Sequence, residues 1–173
     1  MSGLDLSILD ATRRVAREDT DFLDKHLRRA ATLLAVGGEL RIRLVSDAEM
    51  AHAHERYAGV PGTTDVLTFD LSPPNSAGGK QIPIPSGLCL TSDRIMYTID
   101  ADVFVCVDEA ARAAGLRGYP CRQEALLYAI HGLLHCLGHD DHDEAEYRAM
   151  HALEDLVLEA LGVEARFDQD LRG

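Results

Sequence analysis

Hydrophobic and polar positions follow regular periods along the first third of the chain, and these periods predict strands that alternate with helices. Leu40, Ile42 and Leu44 alternate with Arg41 and Arg43, which is the pattern of a half-buried strand. The predicted elements here are a strand at 4–9, a helix from Thr20 to a stop at Gly37-Gly38, a strand from Glu39 to Val45, and a helix from a capping box at Ser46 to Tyr57.

The rest of the chain predicts two further strands and three helices. A short strand over Val66 to Phe69 is followed by a segment at about 70–100 that is rich in proline and glycine, which we interpret as a loop-rich insertion. Val103 to Val107 is continuously apolar, as expected of a central strand. The helices predicted after it run from Asp108 to about Gly115, from Pro120 through the apolar residues 125–137, and from about Glu144 to Leu161.

This order of elements predicts an α/β (α+β) fold, with a small mixed sheet of about four strands covered by about five helices. At 173 residues, the chain has the length of a single domain, 1–173, and can bury a core without disulfides. The four cysteines form no C-x-x-C pair and lie mostly in apolar runs, so we interpret them as buried thiols in a reducing cytoplasm. Neither an export signal nor a membrane span is predicted.

Residues 131–142, HGLLHCLGHDDH, carry the candidate chemistry on the buried central helix. Four residues make just over one helical turn, so His131 and His135 project from the same face and can share one metal ion. Gly138 is predicted to end the helix in the left-handed conformation, so that the returning chain supplies a third ligand. A histidine pair alone is more often structural, but five of the eight histidines fall between 131 and 151, which favours metal binding. His151 itself is interpreted as a surface residue.

Mixed imidazole and carboxylate donors make zinc the expected ion, one per chain, with other divalent ions as alternatives. Asp141 and His142 compete as the third ligand, because adjacent side chains in a turn generally point in different directions. The position ten residues after His131 favours Asp141, while the affinity of imidazole for zinc keeps His142 as the alternative. Gly132 stands where the H-E-x-x-H metalloproteases carry their general base, so a zinc peptidase is the least favoured function.

The metal segment resembles the H-G-x-L-H-L-x-G-Y-D-H signature of the YbeY family of metal-dependent endoribonucleases. Residues 64–69, TDVLTF, are similar to the P-T-[DN]-V-L-[ST]-F strand of that family, and residues 101–106, ADVFVC, resemble its G-D-I-x-I strand. The resemblance implies the finer topology of the fold and places the third ligand at Asp141, where the family has a histidine. The arginine of its Y-R-G segment meets Ala58 here, and Arg56 is the nearest candidate for a catalytic contact to phosphate.

The resemblance also implies a function: cleavage of single-strand-type RNA in 16S rRNA 3′-end maturation and ribosome quality control. Ribosomal RNA, ribosomal proteins and the small subunit are the expected partners, whereas DNA and membranes are not. A net charge of −12 argues against a general nucleic-acid binder, so any basic groove must be local, with Arg41, Arg43 and Arg56 as candidates. The acidity also suits a second hypothesis, a ribosome-assembly partner that docks on basic proteins and holds a mainly structural zinc.

Overall fold

The computed structural model describes residues 3–73 and 97–165, which form four strands and five helices. In chain order these are β1 (Leu4–Asp10), α1 (Arg17–Leu33), β2 (Val36–Val45), α2 (Asp47–Ala58), β3 (Val66–Asp70), β4 (Tyr97–Cys106), α3 (Val107–Arg117), α4 (Cys121–Cys136) and α5 (Glu144–Leu161). The predicted α/β fold of four strands and five helices is confirmed. Residues 74–96 of the predicted insertion lie outside the described residues, and the assignment of the whole chain to one domain stays a prediction.

The strands form one mixed sheet in the order β1-β2-β4-β3. β1, β2 and β4 are parallel, whereas β3 runs antiparallel to β4 at the edge. The register places Ile8, Ile42, Val103 and Thr68 in one row across the four strands. Paired residues on neighbouring strands point to the same face, so the buried face of the sheet extends as far as the edge strand β3.

Helices α1 and α4 pack on this buried face, and α5 packs on both of them. Apolar residues occur on nearly every side of α4, as predicted, so this helix is covered by the sheet and by neighbouring helices together. Its largest fully buried side chains are those of Leu126, Leu127, Ile130, Leu133 and Leu134. On the other face, α2 covers one end of the sheet through Met50, which packs with Val45 and Cys106. Within the described ranges, no helix combines the length and the apolar character that crossing a membrane requires.

The first helix and the glycine pair after it differ from the prediction. Helix α1 begins at Arg17, before Thr20, and ends at Leu33, where Ala35 turns the chain with a φ of 57°. Both glycines lie inside β2. A Cβ on Gly38, whose φ is +102°, would lie 2.1 Å from the carbonyl oxygen of Ile99. Gly38 therefore serves the close pairing of β2 with β4, and neither glycine stops the helix.

The strand and helix that follow the insertion are both longer than predicted. β4 begins at Tyr97, where the sequence suggests loop. Ile99 and Ala101 are buried on the core face while Asp100 between them is not, which is the alternation of a strand. Val107 starts α3 and does not end the strand. The helix continues past Gly115 to Arg117, where Gly118 ends it in the left-handed conformation.

Candidate metal centre

The two histidines of the motif stand on the last turns of α4, and a glycine turn follows them. Gly138 has a φ of 83°, which confirms the predicted left-handed conformation. Its N–H donates to the carbonyl oxygen of His135 at 2.9 Å, and the N–H of His139 donates to that of Leu134 at 3.1 Å. This pair of bonds is a Schellman motif, which fixes the direction in which the chain leaves the helix. The turn carries Asp141 back toward the histidines before α5 begins.

One ligand atom from each of His131, His135 and Asp141 lies within 4.8 Å of the others. The two Nε2 atoms are 3.0 Å apart, and Oδ2 of Asp141 is 4.0 Å from Nε2 of His131. Ligands around a tetrahedral zinc ion, each bonded at about 2.1 Å, are separated by roughly 3.4 Å. The three side chains therefore lie close to the spacing at which they would share one ion.

Both imidazoles present Nε2 to this site because Nδ1 is held elsewhere. Nδ1 of His131 donates to Oε1 of Glu154 at 2.5 Å, and Nδ1 of His135 donates to the carbonyl oxygen of His139 at 3.0 Å. A neutral imidazole with its proton on Nδ1 has its lone pair on Nε2. Two such lone pairs at 3.0 Å repel each other unless a cation or a proton lies between them. The donor set thus fits a divalent cation.

Glu154 and His151 on α5 complete the surroundings of His131, although the sequence analysis places neither residue at the site. Glu154 is fully buried, and its Oε2 accepts from Nδ1 of His151 at 2.6 Å. His151 is only 2% exposed, so its predicted surface position is wrong. A signal was present, because Glu154 lies four residues after Met150 and three before Val157, on the apolar stripe of the helix. A carboxylate in that stripe indicates a buried polar partner.

The charges of this cluster act on one another. Burial raises the pKa of Glu154, but the hydrogen bonds from His131 and His151 outweigh it and hold the pKa below its usual value. Burial lowers the pKa of His131, yet its hydrogen bond to Glu154 and the charge of that carboxylate raise it overall. The pKa of His135 is lowered by burial and by the neighbouring His131. Glu154 is therefore an ionised carboxylate behind the histidine pair.

The two candidates for the third ligand face different surroundings. Asp141 belongs to the group that includes both α4 histidines. The side chain of His142 is 82% exposed, and its Nδ1 is hydrogen-bonded to Asp140. Among the described groups, the structure thus brings Asp141 to the pair and leaves His142 in a separate cluster with Asp140 and Asp141. The geometry favours Asp141, and the assignment stays a prediction.

A cleft of about 460 Å³ opens beside the histidines, between α4 and the edge strand β3. Its polar lining includes the carboxyl groups of Asp65 and Asp70, and no lysine or arginine is found among the described residues that line it. The lining residues are Thr64, Asp65, Val66, Leu67, Thr68, Asp70, His131, His135 and Cys136. An anionic substrate would meet negative charge here unless a cation is bound.

The arginines proposed for a basic groove are engaged away from this cleft. Arg41 forms ion pairs with Asp100, Asp102 and Glu39 on the outer face of the sheet. Arg43 pairs with Glu49 at 2.8 Å. Arg56 is exposed near the end of α2, with its guanidinium 5.5 Å from the ring centroid of Tyr57, and it does not line the cleft. A catalytic role for Arg56 stays a prediction that this geometry does not favour.

Gly132 explains why a glutamate base is absent beside the first histidine. A Cβ at this position would lie 2.8 Å from Cγ1 of Val103 and 2.9 Å from Oγ1 of Thr68. Helix α4 therefore packs directly against β4 and β3 at this residue, and a larger side chain has no room. The steric cost excludes the H-E-x-x-H arrangement of the metalloproteases in this packing.

Gly132→Ala is accordingly expected to destabilise the fold by about 1–3 kcal/mol, because the methyl group overpacks the contact between helix and sheet. Chemical denaturation monitored by circular dichroism measures the change. Gly115→Ala in α3 is the matched control, since a Cβ there meets nothing within 4 Å. It should raise stability slightly, by up to about 1 kcal/mol. Equal stability of the two variants would contradict the packing.

Comparison with known proteins decides the family. The sequence model described as Endoribonuclease YbeY matches residues 7–162. This chain belongs to the YbeY family. The Endoribonuclease YbeY of Cutibacterium acnes is 38% identical over 122 residues, which cover 70% of this chain and 71% of that protein. The Endoribonuclease YbeY of Mycobacterium ulcerans is 34% identical over 123 residues, which cover 71% of this chain and 64% of that protein.

The fold agrees with a solved structure as well. The solution structure of a Thermotoga maritima protein superposes with a TM-score of 0.54 over 98% of this chain and 99% of its own length, at 19% sequence identity. The YbeY resemblance of the sequence is thus confirmed, and so, at the level of the family, is the expectation of an RNA-cleaving hydrolase.

Proposed function

We propose that the chain is a metal-dependent endoribonuclease that binds one divalent ion through His131, His135 and Asp141. Zinc is the expected ion, and other divalent ions are alternatives. One observation carries the proposal: two Nε2 atoms lie 3.0 Å apart, with both Nδ1 atoms committed to other partners, beside an open cleft. A bound divalent ion supplies Lewis acidity and positive charge beside the scissile phosphate. Three protein ligands and an open side are the arrangement of a catalytic site.

The charge of the cleft makes substrate binding depend on the ion. Asp65 and Asp70 repel a phosphodiester, and the described lining residues offer no basic side chain against them. His131 and His135 contribute positive charge only when protonated, and a protonated Nε2 cannot bind a metal. The ion is therefore the group that would admit phosphate to this cleft. RNA affinity should accordingly fall when the ion is removed by a chelator.

The substrate that we propose is single-stranded ribosomal RNA, with a role in 16S rRNA 3′-end maturation and ribosome quality control. The names of the relatives support RNA cleavage, and the open cleft at a sheet edge suits an extended strand. Ribosomal proteins of the small subunit are the proposed protein partners, because their basic surfaces complement a net charge of −12. The free thiols of Cys106, Cys121 and Cys136 support a reducing cytoplasm as the compartment.

A ribosome-assembly partner with a mainly structural zinc is the second candidate, favoured by the acidic charge. A structural site is normally closed by four protein ligands. Here three candidate ligands gather, and a cleft of about 460 Å³ adjoins them. This opening favours catalysis. The two functions separate in a ribosome-maturation assay, because a structural role survives ligand variants that stay folded, whereas a catalytic role does not.

Incubation of the zinc-loaded protein with single-stranded and structured RNA tests the proposal. We expect close to one ion per chain, cleavage of the single-stranded RNA, loss of cleavage after chelation and its return with added zinc. End-group analysis then identifies the attacking group, since a 2′,3′-cyclic phosphate reports attack by the ribose hydroxyl and a linear phosphate without a cyclic precursor reports attack by water. No cleavage by a metal-loaded preparation, or cleavage that chelation leaves unchanged, would refute the proposal.

A further inference from the structure

Glu154 joins two imidazoles inside the core through a single carboxylate. Its Oε1 accepts from Nδ1 of His131 at 2.5 Å, and its Oε2 accepts from Nδ1 of His151 at 2.6 Å. Glu154 is 0% exposed and His151 is 2% exposed, so water does not compete for these bonds. An ionised carboxylate with both oxygens engaged cannot rotate away from His131. The hydrogen bond to His131 is therefore fixed in direction by a partner on a different helix.

We propose that Glu154 is a positioning residue for metal binding, which fixes His131 in the tautomer and ring orientation of a ligand. The inference rests on the proposed metal centre. The bond is made at Nδ1, so it leaves Nε2 as the lone-pair atom that faces Nε2 of His135. A carboxylate acceptor also makes the imidazole a stronger electron donor than a carbonyl acceptor does.

The two histidines of the pair differ in the strength of this support. His135 is oriented by the carbonyl oxygen of His139, which belongs to the glycine turn and is uncharged. His131 is oriented by the negatively charged carboxylate of Glu154, which lies on α5 and not in the glycine turn. Loss of the Glu154 charge should therefore weaken metal binding through His131 while the His135 contact stays intact.

Glu124 offers a matched comparison within the same protein. It lies in the first turn of α4, is also 0% exposed, and pairs with Arg117 and Tyr119. Within the described part of the chain, the hydrogen bonds and ion pair of Glu124 go to residues other than the histidines of the metal centre, so removal of its charge disturbs the same helix without touching a proposed ligand. Glu154→Gln and Glu124→Gln thus remove equally buried carboxylates with different expected consequences.

Competition with a chromophoric chelator measures zinc affinity in the full-length protein. Glu154→Gln is expected to bind zinc about 10–100-fold more weakly than the parent chain, the usual cost of losing a group that supports a ligand. Glu124→Gln should lose stability and keep the zinc affinity of the parent. Parental affinity in Glu154→Gln would overturn the inference, and so would an equal loss of affinity in both variants, because that result would indicate general loosening of the core.

The tautomer of His131 provides a readout that a purely structural role would not move. In metal-free parent protein, at a pH where the ring is neutral, long-range ¹H–¹⁵N correlation should show the proton on Nδ1, and Glu154→Gln should increase the Nε2–H form. A parent ring protonated on Nε2 would overturn the inference, and this measurement stands even if Glu154→Gln does not fold. Failure of the parent to bind zinc would instead refute the proposed function, so the two failures are distinguishable.

Discussion

His131→Ala and His135→Ala should each abolish stoichiometric metal binding and RNA cleavage. Each substitution removes one of the two Nε2 atoms that are proposed to bind the ion and that lie 3.0 Å apart. Two candidate ligands then remain beside an open cleft. The loss of affinity should exceed the roughly 10–100-fold cost of losing a residue that merely supports a ligand. Metal content after zinc incubation and dialysis, together with cleavage of single-stranded RNA, measures the effect.

The two variants should differ in stability although both lose the ion. His131→Ala removes one of the two hydrogen-bond donors of the buried Glu154, so it should cost about 1–3 kcal/mol. His135→Ala removes a bond to the carbonyl oxygen of His139 and should cost less. His52→Ala, at an exposed position of α2, is the control for the loss of a histidine. It should change neither the stability of the fold nor the metal content. One tightly held ion in folded His135→Ala would contradict the assignment of the centre.

The elements that the sequence predicts best are those whose signals are local. The bounds of α5 follow from helical periodicity that ends at Gly162, and its N-cap Asp143 accepts from the N–H of Glu146 at 2.8 Å. Ser46 likewise accepts from the N–H of Glu49, as a capping box predicts. The glycine pair at the start of β2 is wrongly predicted to stop the helix, because glycine tolerates positive φ in a helix stop and in a tight strand contact alike. Only the position of Ile99, far along the chain, distinguishes the two.

The difference between local signals and long-range contacts also explains which features of the site the sequence predicts. An i, i+4 histidine pair and the left-handed glycine are local features, so they predict one face of α4 and the turn that follows. Glu154 reaches His131 from 23 residues away, on a helix whose rotation depends on packing against α4. The cleft depends on where the edge strand β3 lies, which is a matter of sheet order. Contacts between elements, and not periodicity within them, determine both features.

Asp141 is the residue on which the identity of the ion should depend. Oδ2 of Asp141 lies 4.0 Å from Nε2 of His131, whereas His142 is exposed and hydrogen-bonded to Asp140. Asp141→Ala should therefore lose the ion, and His142→Ala should keep it with nearly parental affinity. Both substitutions remove a polar side chain from the same turn, so each is a control for the other. Loss of metal only in His142→Ala would show that the third ligand is His142.

Asp141→His then tests the chemical consequence of a carboxylate where the family signature carries a histidine. A carboxylate is a harder ligand than imidazole and brings a negative charge, so the parent chain should accept manganese more readily than the variant does. Asp141→His should retain one ion per chain and shift the preference toward zinc, because three imidazoles suit that ion. Competition between zinc and manganese, read as metal content at equilibrium, measures the shift. An unchanged preference would mean that Asp141 does not contact the ion, even if its removal weakens binding through the turn.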